Sequence, residues 1–331
     1  MNDPAPNSFA ELGLCDPIVD ALDSRGIASP FPIQALTIPD ALAGRDVCGK
    51  AKTGSGKTLA FGLPVLQTMD RAEPTRPTGL VLEPTRELAN QVTEELEPAA
   101  IAVDRRVLAV YGGAPIEKQI ETLAKGVDLV VATPGRMIDL IERKAVSVSA
   151  VAHVVVDEAD RMADMGFLPQ VEWILRNVDT DHQSLLFSAT LDGAVHTLIR
   201  RYHNDQSMLE VASKEVTVEE MTHRFLWVHK MDKAKVAAAI AKSTDRTIMF
   251  TRTKVMADRL ARDLKDLGVK AAPIHGDLRQ SSREKSLRDF STGKLQALVA
   301  TDVAARGIHV DDVDVVLQYD PPSDHKTYLH R

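Results

Sequence analysis

Apolar residues in this chain come in short unbroken runs separated by longer amphipathic segments. The first runs cover residues 46–49, 79–83, 106–111 and 128–133, and residues 154–156 are three consecutive valines. A strand buried on both faces of a parallel sheet needs apolar side chains at successive positions, not alternate ones. Between the runs, residues 86–97, 116–123 and 135–142 carry a helical period. The alternation predicts right-handed βαβ units in an open α/β sheet. After a polar, acidic stretch at 214–220 the pattern restarts. Residues 225–229, 247–251, 271–275, 295–301 and 313–318 read as strands, with helices at 233–242, 255–267 and 282–290. This reading places a first domain at 1–211, a linker at 212–222 and a second α/β domain at 223–331.

The length of 331 residues agrees with two domains, since a typical domain has about 150. Hydrophobic residues at 44% and charged residues at 26% exclude a disordered, collagen-like or coiled-coil chain. Cys15 and Cys48 are too few and too isolated for a zinc site or a disulfide framework, which points to a reducing compartment. The N-terminus has no basic and apolar leader, and nowhere do eighteen apolar residues run together, so a cytoplasmic protein without a membrane segment is expected. The net charge of −7 is unevenly spread: residues 1–211 carry −11 and residues 212–331 carry +4. A basic strip that meets a polyanion is thus permitted in the second half, and two ordinary solvated faces fit the same totals.

Candidate chemistry begins at residues 51–58, Ala-Lys-Thr-Gly-Ser-Gly-Lys-Thr, which follow a predicted strand and open a helix. Glycines let backbone N–H groups converge on phosphate oxygens, and a helix N-terminus adds positive potential. Thr53, Gly54, Ser55 and Gly56 would cradle the phosphates, Lys57 reach the β- and γ-phosphates, and Thr58 ligate Mg²⁺. Ala51 stands where the general P-loop pattern has its first glycine. The second signal is Asp157-Glu158-Ala159-Asp160 after the valine run. Carboxylates at the carboxyl end of a buried strand stand where an open α/β sheet holds its ligands. Asp157 then suits the Mg²⁺ shell, and Glu158 suits orienting and deprotonating a water. Alone, such acidic residues are more often a helix N-terminal charge cluster, and the P-loop upstream reverses that weighting.

Together these motifs resemble the DEAD-box RNA helicases, and the resemblance covers nearly the whole chain. Residues 26–34, Gly-Ile-Ala-Ser-Pro-Phe-Pro-Ile-Gln, with Phe9 upstream, are similar to that family's adenine-reading segment. Gln34 offers a donor and an acceptor to adenine, and Phe9 a stacking face; without a P-loop downstream they read as a helix-surface residue and an ordinary apolar contact. Residues 84–89, 112–113 and 133–136 resemble the RNA-contacting segments of the first domain, and Ser188-Ala189-Thr190 the segment that couples hydrolysis to strand separation. In the second half, residues 248–251, 275–283 and 300–307 match later motifs in order. The resemblance implies two RecA-like parallel-sheet domains in tandem, ATP and Mg²⁺ as cofactors, and RNA bound through its phosphate-ribose backbone without regard to sequence.

The RNA candidates it implies are Thr85, Arg86, Gly113, Thr133, Gly135, Arg136, Thr251, Gly276, Arg283 and Thr301. Asp302 and Gly307 join the nucleotide set. Any one Thr or Gly among them also suits a helix cap or a turn. Three departures from the pattern stand out. Glu83 precedes Pro84 where the family has a small or apolar residue, adding negative charge beside the expected RNA groove. His309 stands where the family most often has Asp. The sequence stops at Tyr328-Leu329-His330-Arg331, inside the last motif, which predicts a second domain short of its closing strand and helix. Arg331 is the arginine nearest the role of stabilising the γ-phosphate. An ATP-dependent RNA helicase is the expected function, acting as a monomer, with RNA-processing or ribosome-assembly proteins as partners. An ATP-gated RNA clamp with little hydrolysis is the alternative for this polypeptide. A DNA translocase is disfavoured by Asp157–Asp160 and Gln34.

Overall fold

The computed structural model describes residues 8–51, 55–179, 181–191, 193–202, 206–210, 222–305, 310, 312–322 and 327–328, with 206–210, 303 and 305 as backbone alone. The chain divides into two compact units, Met1–Val216 and Thr217–Arg331. In the first, the strands are β1 (Asp46–Lys50), β2 (Gly79–Leu82), β3 (Val107–Val110), β4 (Leu129–Ala132), β5 (His153–Val156), β6 (Gln183–Ser188) and β7 (Gln206–Glu210). The helices between and around them are α1 (Asp16–Asp23), α2 (Pro32–Leu42), α3 (Lys57–Thr68), α4 (Arg86–Ala102), α5 (Ile116–Leu123), α6 (Pro134–Glu142), α7 (Ala159–Asp164), α8 (Leu168–Leu175) and α9 (Gly193–Tyr202).

All seven described strands are parallel, in the order β3-β4-β2-β5-β6-β1-β7. Leu80 lies in register with Val130 on one side and Val154 on the other. The pleat sends Val81, Val131, Val155, Leu185 and Phe187 to one face, where they pack with Leu59, Leu63 and Leu96 of α3 and α4. Leu80, Leu82, Val130, Val154, Val156 and Leu186 go to the other, against Met137, Leu140, Ile174 and Leu198. Each sheet residue therefore has a core to enter, which is why the runs in the sequence are unbroken.

The second unit contains α10 (Lys233–Lys242), β8 (Thr247–Thr251), α11 (Lys254–Asp266), β9 (Ala271–Ile274), α12 (Gln280–Ser291), β10 (Ala297–Thr301), α13 (Asp302–Ala305) and β11 (Val315–Gln318). Its four described strands are also parallel, in the order β11-β8-β10-β9. The fold is thus two parallel-sheet α/β domains in tandem. Two elements differ from the sequence reading. Helix α4 continues past residue 97, through Pro98, because Ala99 and Ala100 reach the core and their burial outweighs the lost backbone bond. Residues 225–229 form no strand, and Phe225, Leu226 and Trp227 are exposed. An extended apolar run becomes a strand only when a neighbour takes its backbone hydrogen bonds, and the described strands of this unit pair with one another alone.

Gly49 tests how tightly the first sheet is packed against α3. It lies in register with Phe187, whose ring is 5.5 Å from that of Phe61 and would stand 2.6 Å from any Cβ placed at residue 49. Both rings are fully buried, so neither can move into open space. Gly49→Ala is expected to destabilise the first unit by about 1–3 kcal/mol through overpacking, read as a lower midpoint in urea denaturation. An unchanged midpoint would show that the ring moves without loss.

Candidate functional site

The chemistry-bearing residues of the first unit stand along the carboxyl edge of its sheet. Strand β1 leads through Ala51, whose N–H donates to the Ser188 carbonyl at 3.0 Å, into the Gly-rich turn. Thr53 and Gly54 lie outside the described residues. Gly56 caps α3 with φ of +83°, a left-handed conformation that suits glycine. A side chain there would also collide with α2, because a Cβ would lie 2.5 Å from Gln34 Nε2 and 2.6 Å from Phe31 Cδ2. Gln34 itself donates to the Gly56 carbonyl at 3.0 Å and accepts from the Phe31 N–H at 2.7 Å. The two segments singled out in the sequence are therefore locked together through one buried amide.

Lys57 and Thr58 begin α3. The Lys57 Nζ donates to Glu158 Oε1 at 2.6 Å and lies 3.5 Å from Asp157 Oδ1, with all three side chains nearly excluded from solvent. Asp157 and Glu158 leave the end of β5. Glu158 has φ of +51°, its N–H donates to Asp157 Oδ1 at 2.8 Å, and its Oε2 lies 3.2 Å from Arg161 Nε. A non-glycine residue held there stores about 1–3 kcal/mol of strain, a feature concentrated at functional sites.

Electrostatics follow from this crowding. Burial acts to lower the Lys57 pKa, but the charges of Asp157 and Glu158 outweigh it and raise the ammonium above its ordinary value. Burial pushes Asp157 up to about 6, against the pull of Lys57 and with the help of Glu158. Glu83 is raised well above the usual carboxylate range, first by burial, then by Asp157 and Glu158. The sequence reading set Glu83 beside the RNA candidates. The structure buries the side chain fully, and the charges acting on it are those of Asp157, Glu158, Lys57 and Arg161, so it presents no exposed negative charge beside Thr85 and Arg86.

Asp160, one turn on, joins this cluster to β6. Its N–H donates to Ser188 Oγ at 3.2 Å, while the N–H and hydroxyl of Thr190 donate to its Oδ2 at 3.0 and 3.3 Å. Ser188 Oγ donates in turn to the Thr190 carbonyl at 2.6 Å. The acidic motif and the 188–190 segment thus share one closed hydrogen-bond ring.

Residues singled out for nucleic acid collect at the ends of β2, β3 and β4. Thr85 caps α4, its hydroxyl accepting from the Leu88 N–H. Arg86 lies over Gly113, where φ is +89° and a Cβ would stand 2.3 Å from the guanidinium Nη1. Thr133 caps α6 without a side-chain cap bond, and Gly135 has open space around its Cα. Arg136 is held by Gln119 Oε1 at 2.8 Å and the Ala114 carbonyl at 3.2 Å. In the second unit, Thr251 and Thr301 end β8 and β10 in register, Asp302 opens α13, and Gly276 follows β9 with open space beside it. Arg283 lies in the first turn of α12. Gly307, His309 and Arg331 fall outside the described residues.

Two aromatics exchange parts relative to the sequence reading. Phe9 is 1% exposed and sits in the core with Leu12 and Ile18, so it presents no face to a ligand. Phe31 is 55% exposed beside Gly56 and is the aromatic with an open surface at the turn. Its place within 26–34 was a usable signal, but its exposure depends on how α2 packs. No group of three His, Cys, Asp or Glu side chains among the described residues makes a metal cage. Mg²⁺ takes one or two protein oxygens together with phosphates and waters, and Thr58 and Asp157 carry hard oxygens that fit such an ion. Among the described residues no helix is long and apolar enough to cross a membrane.

The DEAD/DEAH box helicase family model matches residues 31–198, and the helicase conserved C-terminal domain model matches residues 229–331. The chain belongs to the DEAD/DEAH box helicase family. It is 42% identical over 98% of its length to the DEAD-box ATP-dependent RNA helicase CshA of Bacillus cereus, and equally identical to the ATP-dependent RNA helicase CshA of Listeria monocytogenes. It spans 62% of the length of each of these relatives. Among solved structures it is similar to Saccharomyces cerevisiae Dbp5 bound to RNA and ADP BeF3, with a TM-score of 0.86 and 29% identity, covering 98% of this chain and 85% of that one. A DEAD box protein from Methanococcus jannaschii is 35% identical with a TM-score of 0.60, covering 98% of this chain and 88% of the other. Family membership and the RecA-like character of the two sheets agree with the sequence resemblance.

Proposed function

We propose that the protein is an ATP-dependent RNA helicase, an RNA-stimulated ATPase that separates short duplexes as ATP draws its two domains together. The observation that carries the reading is the buried Lys57–Asp157–Glu158 cluster beside the Gly56 turn, joined through Asp160 to Ser188 and Thr190. In this reading ATP enters the first domain, its phosphates over residues 53–58 and its base near Gln34 and Phe31. Lys57 exchanges Glu158 for the β- and γ-phosphates, which frees the carboxylate to orient and deprotonate a water. Thr58 and Asp157 hold Mg²⁺, which neutralises phosphate charge when bound. Asp160 reports the state of Glu158, two residues away, to the 188–190 segment. Thr85, Arg86, Gly113, Thr133, Gly135 and Arg136 contact the RNA backbone in the first domain, and Thr251, Gly276, Arg283 and Thr301 in the second. The family resemblance adds Asp302, Gly307 and Arg331 to the nucleotide-binding set. Sequence-independent binding follows from hydroxyl, guanidinium and backbone partners that meet phosphate and 2′-OH rather than base edges. Residues 212–222 serve as the linker, and the protein acts as a cytoplasmic monomer with RNA-processing or ribosome-assembly partners.

Steady-state ATPase rates with single-stranded RNA, with DNA of the same sequence, and with neither provide the test. Stimulation by RNA alone is the expected result, at similar levels for unrelated RNA sequences at one salt concentration. Stimulation by DNA would support a DNA translocase instead, and nucleotide-dependent RNA binding without turnover would support a clamp.

A further inference from the structure

Glu83 immediately follows β2, and its N–H donates to the Ala132 carbonyl at 2.9 Å, while the Asp157 N–H donates to the Leu82 carbonyl at 3.1 Å. The two residues therefore stand side by side, one step beyond the ends of adjacent strands. Val81 and Val155 face the core that contains α3, so the two-residue period turns Glu83 and Asp157 to that same face, where Lys57 begins α3. Glu83 is 0% exposed, and neither carboxyl oxygen has a hydrogen-bond partner among the described residues. Its neighbours differ in this respect: Asp157 accepts from the Glu158 N–H, and Glu158 is held by Lys57 and Arg161.

A buried carboxyl without a partner costs about 1–3 kcal/mol or more in a protein interior. Glu83 also stands where β2, whose end carries the RNA candidates Thr85 and Arg86, pairs with β5, whose end carries the nucleotide candidates Asp157 and Glu158. Its chemistry narrows what can satisfy it. A triphosphate offers it acceptor oxygens, which suit only a protonated carboxyl, and a hydrated divalent cation, whose waters donate to a carboxyl oxygen whether or not it holds a proton. Lys57 is engaged by Glu158 and, with nucleotide present, by phosphate. The donor that a nucleotide adds beside Asp157 is a water bound to the divalent cation that accompanies the triphosphate. Magnesium keeps several of its waters in such sites, and carboxylates commonly hold them from outside the metal's own ligand shell.

We propose that Glu83 is a positioning residue for this cation, its carboxyl accepting a hydrogen bond from a metal-bound water and so holding the hydrated ion against Asp157. The inference rests on the nucleotide reading above and assigns to this chain a third carboxyl in the cation site.

The test is binding of a fluorescent ADP analogue, titrated with magnesium chloride, to the intact chain and to Glu83→Gln and Glu83→Ala. In both variants the Mg²⁺ concentration for half-maximal binding is expected to rise about tenfold, the scale of a lost outer partner of a metal. Affinity in EDTA should stay the same, because Glu83 then has no metal-bound water to lose. Melting temperatures should match or exceed that of the unaltered chain, since each variant deletes a buried carboxyl. An unchanged or lowered Mg²⁺ requirement in both variants would overturn the proposal, as would a weaker affinity in EDTA that parallels a lower melting temperature, the mark of a purely structural role. If the unaltered chain fails to bind the analogue at any Mg²⁺ concentration, the nucleotide reading itself falls, and this inference with it.

Discussion

Glu158→Gln is expected to keep nucleotide binding and to lower turnover by about 10²–10⁴-fold, the usual contribution of a positioned general base. The amide is nearly isosteric with the carboxylate, and its oxygen can still accept from Lys57 Nζ, which lies 2.6 Å from Glu158 Oε1. What disappears is the ability to take a proton from water. The contact between Arg161 Nε and Glu158 Oε2 at 3.2 Å either persists through the amide oxygen or is lost at the edge of the site. Neither outcome removes the Gly56 turn, Thr58 or Asp157 from the phosphate side. Calorimetry with a non-hydrolysable ATP analogue, together with ATPase rates at saturating RNA, decides the matter. Loss of binding in proportion to loss of turnover would contradict the assigned role.

Lys57→Ala is expected to abolish measurable nucleotide binding and also to destabilise the first unit by about 3–5 kcal/mol, the range for removing one partner of a buried ion pair. Both effects have one origin. Lys57 supplies the positive charge that Asp157 and Glu158 share in a region where its own side chain is 5% exposed. Without it, Asp157, Glu158 and Glu83 are left crowded together, with Arg161 as the remaining cation among the described residues that acts on Glu83. Phosphates would then meet an uncompensated acidic cluster. The double variant Lys57→Ala/Glu158→Gln should recover part of the lost stability without recovering nucleotide affinity. Denaturant melts and analogue binding on the single and double variants separate the two effects. A Lys57→Ala chain as stable as the original would show that the cluster is relieved in another way, by protonation or rearrangement.

Much of the fold was legible because strands buried on both faces leave no choice of side chain. The runs at 79–83, 128–133 and 154–156 could satisfy both cores only as central parallel strands, and β2, β4 and β5 lie there. The P-loop and acidic motifs were legible for a related reason: glycine at positive φ, lysine at a helix start and carboxylates at a strand end are each demanded locally. Exposure was not legible. Phe9 and Phe31 are the same residue type, 25 and 3 positions before Gln34, yet one is in the core and the other is open at the Gly56 turn. The stretch 225–229 has the composition of a strand, but pairing depends on a neighbour that composition does not supply.

Glu83 marks the boundary most sharply. The alternation of runs and helices, the order of the motifs and the character of each candidate residue were contained in the chain itself, because they depend on residues a few positions apart. Which face Glu83 takes, that it lies beside Asp157, 74 positions away, and that Lys57, Glu158 and Arg161 share one buried volume were decided only when β2, β5 and α3 came together. Charges interact over a few ångströms in a low-dielectric interior, so their partners are set by strand order and register, not by spacing along the chain.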